Sequence, residues 1–169
     1  MSRFRLRDNY LRFYLKCIAP NLGKIKKGSF KNISITNLPA WETIVGLQFE
    51  NLVLNNRALI HQALEIRPEE IINDNPYFQR PTTKQRGCQI DYLIQMKYNR
   101  LYVCEIKFSR NPIPSKVIHK VKAKIANIAL PRGFSCIPVL ICTSGVTDEV
   151  QESGFFEKII YFSEISVNK

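Results

Sequence analysis

Three charged residues that could carry out chemistry, Asp91, Glu105 and Lys107, lie in two mostly apolar segments of the sequence. The segments, residues 88–97 and 101–109, alternate in character and are joined by a short turn, which predicts a β-hairpin. Successive side chains of a strand point to opposite faces of the sheet, so Glu105 and Lys107 share a face. The sequence therefore predicts a carboxylate beside an ammonium group, with a second carboxylate on the neighbouring strand.

The register of this hairpin decides whether Asp91 joins the other two residues. With Asn99 at the centre of the turn, Asp91 lies opposite Lys107 and all three charged side chains share one face. A shift of one residue would move Asp91 to the other face. The apolar pattern favours the first register, because the apolar sides of both strands then lie together.

The chemistry that such a set supports is metal-assisted hydrolysis. Two neighbouring carboxylates repel each other unless a cation lies between them, and Mg²⁺ commonly binds one or two carboxylates together with waters and phosphate oxygens. The cation lowers the pKa of a bound water and stabilises a phosphodiester under attack. A nearby lysine can orient the nucleophile and oppose the developing negative charge.

The net charge indicates which substrate such a site would meet. The chain has 25 Lys and Arg residues against 14 Asp and Glu, a formal net charge of +11 and a pI of about 9.6. This excess attracts polyanions, and nucleic acid is the commonest of them inside cells. A basic surface also serves solubility or the docking of an acidic protein partner, and the charge alone leaves these alternatives open.

Length and patterning predict one compact soluble domain. The chain has 169 residues, of which 45% are hydrophobic and 23% charged, the balance of an ordinary globular protein. No apolar run is long enough to cross a bilayer and the N-terminus lacks an apolar signal region, so we expect a cytoplasmic protein with no membrane contact. Five cysteines without a CxxC pair, and only two histidines, favour buried thiols over a zinc site.

The remaining segments predict an α/β fold with a mixed β-sheet flanked by helices. A strand–helix–strand unit after the hairpin turn implies a right-handed parallel crossover. We expect residues 1–38 to form an N-terminal helix and a basic connection that pack on a core of residues 39–169. The predicted helices cover residues 8–19, 39–56 and 115–129, and the predicted strands cover 77–80, 88–97, 101–109, 136–143 and 158–162.

The motif resembles that of a known superfamily. Asp91, followed on the next strand by Glu-Ile-Lys at 105–107, is similar to the PD-(D/E)xK nuclease motif, with Ile90 at the position of its proline. The resemblance implies a restriction-endonuclease-like αβββαβ core, here with an extra N-terminal helix. It also implies Mg²⁺ or Mn²⁺ as the cofactor.

The same resemblance implies roles for individual residues. Asp91 and Glu105 would bind the metal, the carbonyl group of Ile106 would add a ligand, and Lys107 would position the nucleophile. Glu50 matches the acidic residue that many members contribute from the first core helix. The alternative for Glu50 is a helix-surface glutamate with no special role.

Several segments also resemble an uncharacterised family, the nuclease-like domain that ends many archaeal and bacterial AAA+ ATPases. This resemblance implies an AAA+ ATPase module as a partner, in the same chain or in another, and leaves the oligomeric state open. The sequence contains no GxxxxGK(S/T) phosphate-binding loop, so it would be the terminal domain without its motor. The segments that carry the likeness are residues 7–14 (RDNYLRFY), 20–21 (PN), 41–42 (WE) and 46–50 (GLQFE).

Basic and polar residues around the motif are predicted to contact DNA. Gln89 shares the predicted face of Asp91, whereas the lysines of the helix after the motif are predicted to contact phosphates or to form only its solvated face. At the level of function, the sequence predicts a metal-dependent nuclease-like domain that cleaves DNA. The alternative is a catalytically inactive DNA-binding or protein-docking module with the same fold. The predicted contacts are Arg80, Lys84, Arg86, Gln89, Lys116, Lys120 and Lys124.

Overall fold

A computed structural model of the protein describes residues 8–38, 40–83 and 85–167. The chain divides into two compact units, residues 1–51 and 52–169. No helix in the described ranges is long and apolar enough to cross a membrane. Pro39, the predicted start of the second helix, and Lys84, a predicted DNA contact, lie outside the described residues.

The first unit begins with a chain of short helices. Asp8 caps the first of them by accepting a hydrogen bond of 2.7 Å from the backbone N–H of Leu11. The helix predicted over residues 8–19 is divided into shorter helical turns, and these continue beyond Ala19. Pro20 lies at the start of a 3₁₀ turn, where its missing N–H removes no hydrogen bond, and the helical path continues. The elements are α1 (Asn9–Phe13), a π-helical turn (Tyr14–Ile18), a 3₁₀ turn (Ala19–Asn21) and α2 (Leu22–Lys26).

The helix α3 (Trp41–Asn55) covers most of the predicted second helix. Within the first unit, α1 is held to it by an edge-to-face contact of Phe13 and Trp41, whose ring centroids are 6.3 Å apart. The side-chain amide of Asn51 also donates to the amide oxygen of Asn9 at 2.9 Å. A break at Asn56 then separates α3 from α4 (Arg57–Ala63).

The second unit is built on a five-stranded sheet with the strand order β1-β2-β3-β4-β5. The pairs β1–β2 and β2–β3 are antiparallel, and β3–β4 and β4–β5 are parallel. The predicted fold class, a mixed sheet flanked by helices, is confirmed. The strands are β1 (Ile71–Gln79), β2 (Cys88–Met96), β3 (Arg100–Lys107), β4 (Ser135–Cys142) and β5 (Lys158–Tyr161), and the further helices are α5 (Lys116–Asn127), α6 (Asp148–Glu152) and α7 (Phe162–Val167).

Strand β1 begins at Ile71 rather than at residue 77. The segment missing from the prediction contains Asn73, Asp74, Asn75 and Pro76, which are poor strand formers. An edge strand tolerates them because only one of its sides must supply hydrogen bonds. Here that side is paired with β2.

Both faces of the sheet are covered in the second unit. On one face, Val117 and Val121 of α5 pack against Leu140 and Cys142 of β4. On the other face, Tyr92 is completely buried and its hydroxyl lies 2.7 Å from the imidazole of His61 in α4. The crossover helix α5 thus covers the face of the sheet that carries the side chains of Leu140 and Cys142.

The hairpin of β2 and β3 has a different register from the predicted one. Leu93 pairs with Val103, not with Glu105, and the turn is centred on Tyr98 rather than Asn99. Tyr98 and Asn99 both have positive φ angles, 59° and 56°, which lets three residues close the hairpin. The predicted register is therefore wrong by two residues. Because side chains alternate with a period of two, this shift preserves the face on which each β3 residue lies.

Candidate active site

A β-bulge in β2 shapes the site. Asn75 of β1 lies opposite Leu93, whereas Tyr77 lies opposite Ile90, so two steps along β1 correspond to three along β2. The extra residue falls at positions 91–92, opposite Pro76. Proline has no N–H to donate to the ladder, and bulges are where a strand accommodates it.

The bulge places Asp91 where the pairing of β2 with β3 stops. The ladder between these strands ends at the pair of Tyr92 with Cys104. Beyond it, the backbone N–H of Ile106 donates to the Asp91 carboxylate oxygen Oδ2 at 3.1 Å. Asp91 is 7% exposed and thus almost completely buried at this position.

Glu105 is the most buried charged residue of the site, with 2% of its surface exposed. Its Oε1 lies 2.7 Å from Nζ of Lys107, and its Oε2 lies 2.5 Å from Nζ of Lys124. Burial by itself would raise the pKa of Glu105, but the ammonium groups of Lys107 and Lys124 outweigh it and hold the pKa below its ordinary value. Glu105 is therefore an ionised carboxylate at neutral pH.

Lys124 of α5 joins the two carboxylates. Its Nζ is 2.5 Å from Oε2 of Glu105 and 3.5 Å from Oδ1 of Asp91. Burial by itself would lower the pKa of Lys124, but the charges of Asp91 and Glu105 raise it. The structure thus brings Asp91, Glu105 and Lys107 into one cluster and adds Lys124 at its centre.

The position of Lys124 differs from the phosphate contact that we expected for it. The sequence indicates that Lys124 faces the core, because it follows Val117 by seven residues and Val121 by three, and precedes Ile128 by four. These spacings belong to the apolar stripe of an amphipathic helix. A lysine on such a stripe enters the interior and requires a negatively charged partner there.

Gln79 is a second residue that the sequence analysis missed. Its side-chain amide donates to the carbonyl oxygen of Asn127 at 2.7 Å and to that of Arg86 at 2.8 Å. Its Oε1 accepts from the backbone N–H of Ala129 at 2.8 Å. These bonds tie the end of β1 to the end of α5, one turn after Lys124, and so fix the helix over the carboxylates.

A basic cavity of about 220 Å³ adjoins the cluster. Lys107 lies on its wall together with Lys116 and Lys120 of α5, beside Phe108 and Ser109. Ile113, Pro114 and Val117 line the rest of the cavity, so lysine and apolar side chains share its wall. The predicted contacts Lys116 and Lys120 therefore share a cavity with Lys107.

The remaining predicted contacts lie elsewhere. Arg80 and Arg86 are exposed near the start of β2. Cys88 and Ile90 pack in the same apolar cluster as Val103, so Gln89 between them is exposed on the opposite face. The prediction that Gln89 shares the face of Asp91 is wrong, because the bulge interrupts the alternation of β2.

Glu50 belongs to the first unit, where it lies on α3 and is partly exposed. Its role as a further acidic residue of the site stays a prediction. The same holds for the carbonyl group of Ile106, a residue that is itself 3% exposed.

The carboxylates of Asp91 and Glu105 fit a small divalent cation, provided that one condition on Lys124 is met. Asp91 and Glu105 converge on one cationic atom, and Mg²⁺ can be held by two protein carboxylates and several waters. Among the described residues, no group of three or more His, Cys, Asp or Glu side chains could hold a metal ion, so the candidate site has two carboxylates. The condition is that Lys124 withdraws from between the carboxylates.

Comparison with known proteins gives likenesses of fold. No protein-family model matches this sequence, and no curated protein sequence matches it significantly. The structure is similar to that of a repair endonuclease from Pyrococcus abyssi, with a TM-score of 0.43, 14% identity and coverage of 65% of this chain and 43% of that one. It is also similar to a protein of unknown function, with a TM-score of 0.41, 15% identity and coverage of 57% and 50%. The chain thus spans half or less of the length of these two proteins.

Proposed function

We propose that the second unit is a divalent-metal-dependent nuclease-like domain that hydrolyses DNA phosphodiester bonds with Mg²⁺ or Mn²⁺. The observation that carries this proposal is the convergence of two buried carboxylates, Asp91 and Glu105, on one cationic atom. Lys107 lies beside them on the wall of a basic cavity. Paired acidic groups next to a cavity lined by three lysines suit the hydrolysis of a phosphodiester better than that of a neutral substrate.

The residues of the site have distinct parts in this reaction. A bound divalent cation would supply a more acidic water and neutralise negative charge on the phosphate. Asp91, whose Oδ2 is held by the N–H of Ile106, presents Oδ1 toward Lys124 and the cation position. Lys107, held by Glu105, would bind a phosphate oxygen and oppose the charge that develops during attack. The carbonyl group of Ile106 is a further proposed ligand, and the role of Glu50, which lies on α3 in the first unit, stays a prediction from the sequence.

DNA is the proposed substrate because of the charge distribution. The chain carries a net charge of +11, and Lys116 and Lys120 line the cavity beside Lys107. Nonspecific affinity for DNA comes mostly from such lysine–phosphate contacts. An AAA+ ATPase module as partner and a cytoplasmic location are the further parts of this proposal, and they derive from the sequence alone.

One observation favours a second candidate function, a DNA-binding or docking module without turnover. Among the described residues, Lys107 and Lys124 already form ion pairs with Asp91 and Glu105. Carboxylates that are paired in this way can serve the fold and the basic surface without catalysis. The two candidates make different predictions for cleavage and the same prediction for binding.

A cleavage assay separates the two candidates. Supercoiled plasmid and single-stranded DNA are incubated with the full chain in Mg²⁺, in Mn²⁺ and in EDTA, and the assay is repeated with Lys107→Ala. Lys97→Ala is the matched control, because Lys97 is an exposed lysine just before the hairpin turn. We expect metal-dependent cleavage that is lost in Lys107→Ala and kept in Lys97→Ala. Salt-sensitive binding without cleavage would favour the second candidate. If the protein neither binds nor cleaves DNA, both candidates are contradicted.

A further inference from the structure

The side chain of Lys124 has an unusual position for a lysine on a helix surface. It is 24% exposed and its ammonium group is directed at Glu105 and Asp91, which are themselves 3% and 9% exposed in their side chains. The helix that carries it is fixed by Val117 and Val121 in the core and by the Gln79 hydrogen bonds at its end. Lys124 is therefore held over the carboxylates by the fold.

Among the described residues, the opposite charges of the cluster lie in pairs. Asp91 and Glu105 contribute two negative charges, and Lys107 and Lys124 contribute two positive ones. Removal of one partner from a buried ion pair is unfavourable because it leaves an uncompensated charge. The ammonium group of Lys124 thus stabilises the pair of carboxylates when no metal ion is present.

The same ammonium group stands in the way of a divalent cation. Its Nζ lies 2.5 Å from Oε2 of Glu105, so it directly contacts an oxygen that the cation needs. A cation that shares this oxygen would lie within a few ångströms of Nζ and be repelled by it. Lys124 has a flexible four-carbon stem and a path to solvent, so it can move aside without movement of α5.

We infer that Lys124 is a built-in cation of this site, which occupies the position between Asp91 and Glu105 and competes with the divalent metal ion for it. The inference rests on the proposed metal site and deepens it. Two states follow: a metal-free state in which Lys124 bridges the carboxylates, and a metal-bound state in which its ammonium group has turned away. The exchange of one cation for the other weakens the affinity for metal.

The test is calorimetric titration of the full chain with Mn²⁺, for wild type, Lys124→Met and Lys97→Met. Lys97 is exposed just before the hairpin turn and belongs to neither the carboxylate cluster nor the basic cavity, so it is the matched control. We expect Lys124→Met to bind Mn²⁺ roughly tenfold more tightly or better, within the range typical of coupled binding events, and Lys97→Met to resemble wild type. Unchanged or weaker Mn²⁺ affinity in Lys124→Met would overturn the inference.

Thermal unfolding gives a second measurement. In EDTA, Lys124→Met should melt below wild type, because the two carboxylates have lost a shared counter-ion, and Mn²⁺ should raise its melting temperature more than that of wild type. If Lys124→Met folds only with Mn²⁺, that outcome supports the inference, and Lys124→Gln then replaces it in the titration. Equal effects of Mn²⁺ on the melting of both proteins would contradict it.

The outcomes also distinguish this inference from the proposed function. Cleavage by wild type together with equal Mn²⁺ affinities in wild type and Lys124→Met overturns the competition alone. Tight Mn²⁺ binding by Lys124→Met without cleavage by wild type supports the competition and contradicts the nuclease activity. No Mn²⁺ binding by any variant overturns both.

Discussion

The backbone N–H of Ile106 donates a hydrogen bond of 3.1 Å to the carboxylate of Asp91. The side chain of Asp91, in β2, thereby takes the place of a backbone acceptor for the N–H of Ile106, in β3, at the end of the ladder between these strands. One oxygen of Asp91 satisfies a buried backbone group, and the other faces Lys124 at 3.5 Å. Asp91 therefore serves both the candidate site and the hydrogen bonding between β2 and β3.

Replacement of Asp91 is the first prediction. Asp91→Ala leaves the N–H of Ile106 without this acceptor, and we expect the free energy of unfolding to fall by about 1–3 kcal/mol. Asp91→Asn keeps an oxygen acceptor and should lose less. Urea denaturation measures both. Equal losses in the two variants would show that the hydrogen bond to Ile106 contributes little.

The two ion pairs of Glu105 should differ in strength. Lys124 is 24% exposed in its side chain and Lys107 is 36% exposed, so solvent screens the pair with Lys107 more. In double-mutant cycles with Glu105→Gln, we expect a coupling of about 1–3 kcal/mol to Lys124→Met and about 0–1 kcal/mol to Lys107→Met. Chemical denaturation of the single and double variants gives both values. A larger coupling to Lys107 would contradict this order.

A polar network on the opposite face of the sheet should contribute to stability. The hydroxyl of Tyr92 donates to Oδ2 of Asp74 at 3.1 Å and lies 2.7 Å from Nε2 of His61, and Tyr92 is completely buried. We expect Tyr92→Phe to lower the free energy of unfolding by about 1–3 kcal/mol, because the buried partners lose a hydrogen bond. Tyr98→Phe at the exposed turn is the control, with an expected change within about 0.5 kcal/mol. Similar melting of both variants would argue against the network.

The same network predicts a pH dependence. Burial lowers the pKa of His61, and Arg57 lowers it further, although Asp74 opposes them. The folded state thus binds a proton at His61 more weakly than the unfolded state, so stability should decrease as the pH falls through about 6.5, the unfolded value. His61→Gln should show a smaller loss of stability between pH 7.5 and pH 5.5 than wild type. Identical losses in urea titrations would refute the assignment to His61.

The basic cavity predicts the salt dependence of DNA binding. If Lys116 and Lys120 contact phosphates, Lys116→Ala and Lys120→Ala should each reduce the slope of log affinity against log salt by about one. Lys97→Ala serves as the control because Lys97 is exposed near the hairpin turn. Fluorescence anisotropy at several salt concentrations measures the slopes. Equal slopes for Lys116→Ala, Lys120→Ala and Lys97→Ala would place the DNA elsewhere.

The local pattern of residues along the chain was sufficient to predict part of this site. The alternation in residues 101–107 determined that Glu105 and Lys107 share a face, and this result survived a register that was wrong by two residues. The spacing of Val117, Val121 and Lys124 also marks Lys124 as a residue of the buried stripe, since helical periodicity is a property of the sequence itself.

Only the tertiary structure decided how these faces meet. The bulge at positions 91–92 arises from pairing with Pro76 on another strand, and it reverses the face of Gln89. The crossover from β3 to β4 lays α5 across the sheet, and only there does Lys124 reach Asp91 and Glu105. Both results depend on contacts between residues far apart in the chain, which no local periodicity encodes. The sequence by itself thus determined which side chains are available for the site, and the pairing of distant strands and a helix decided which of them touch.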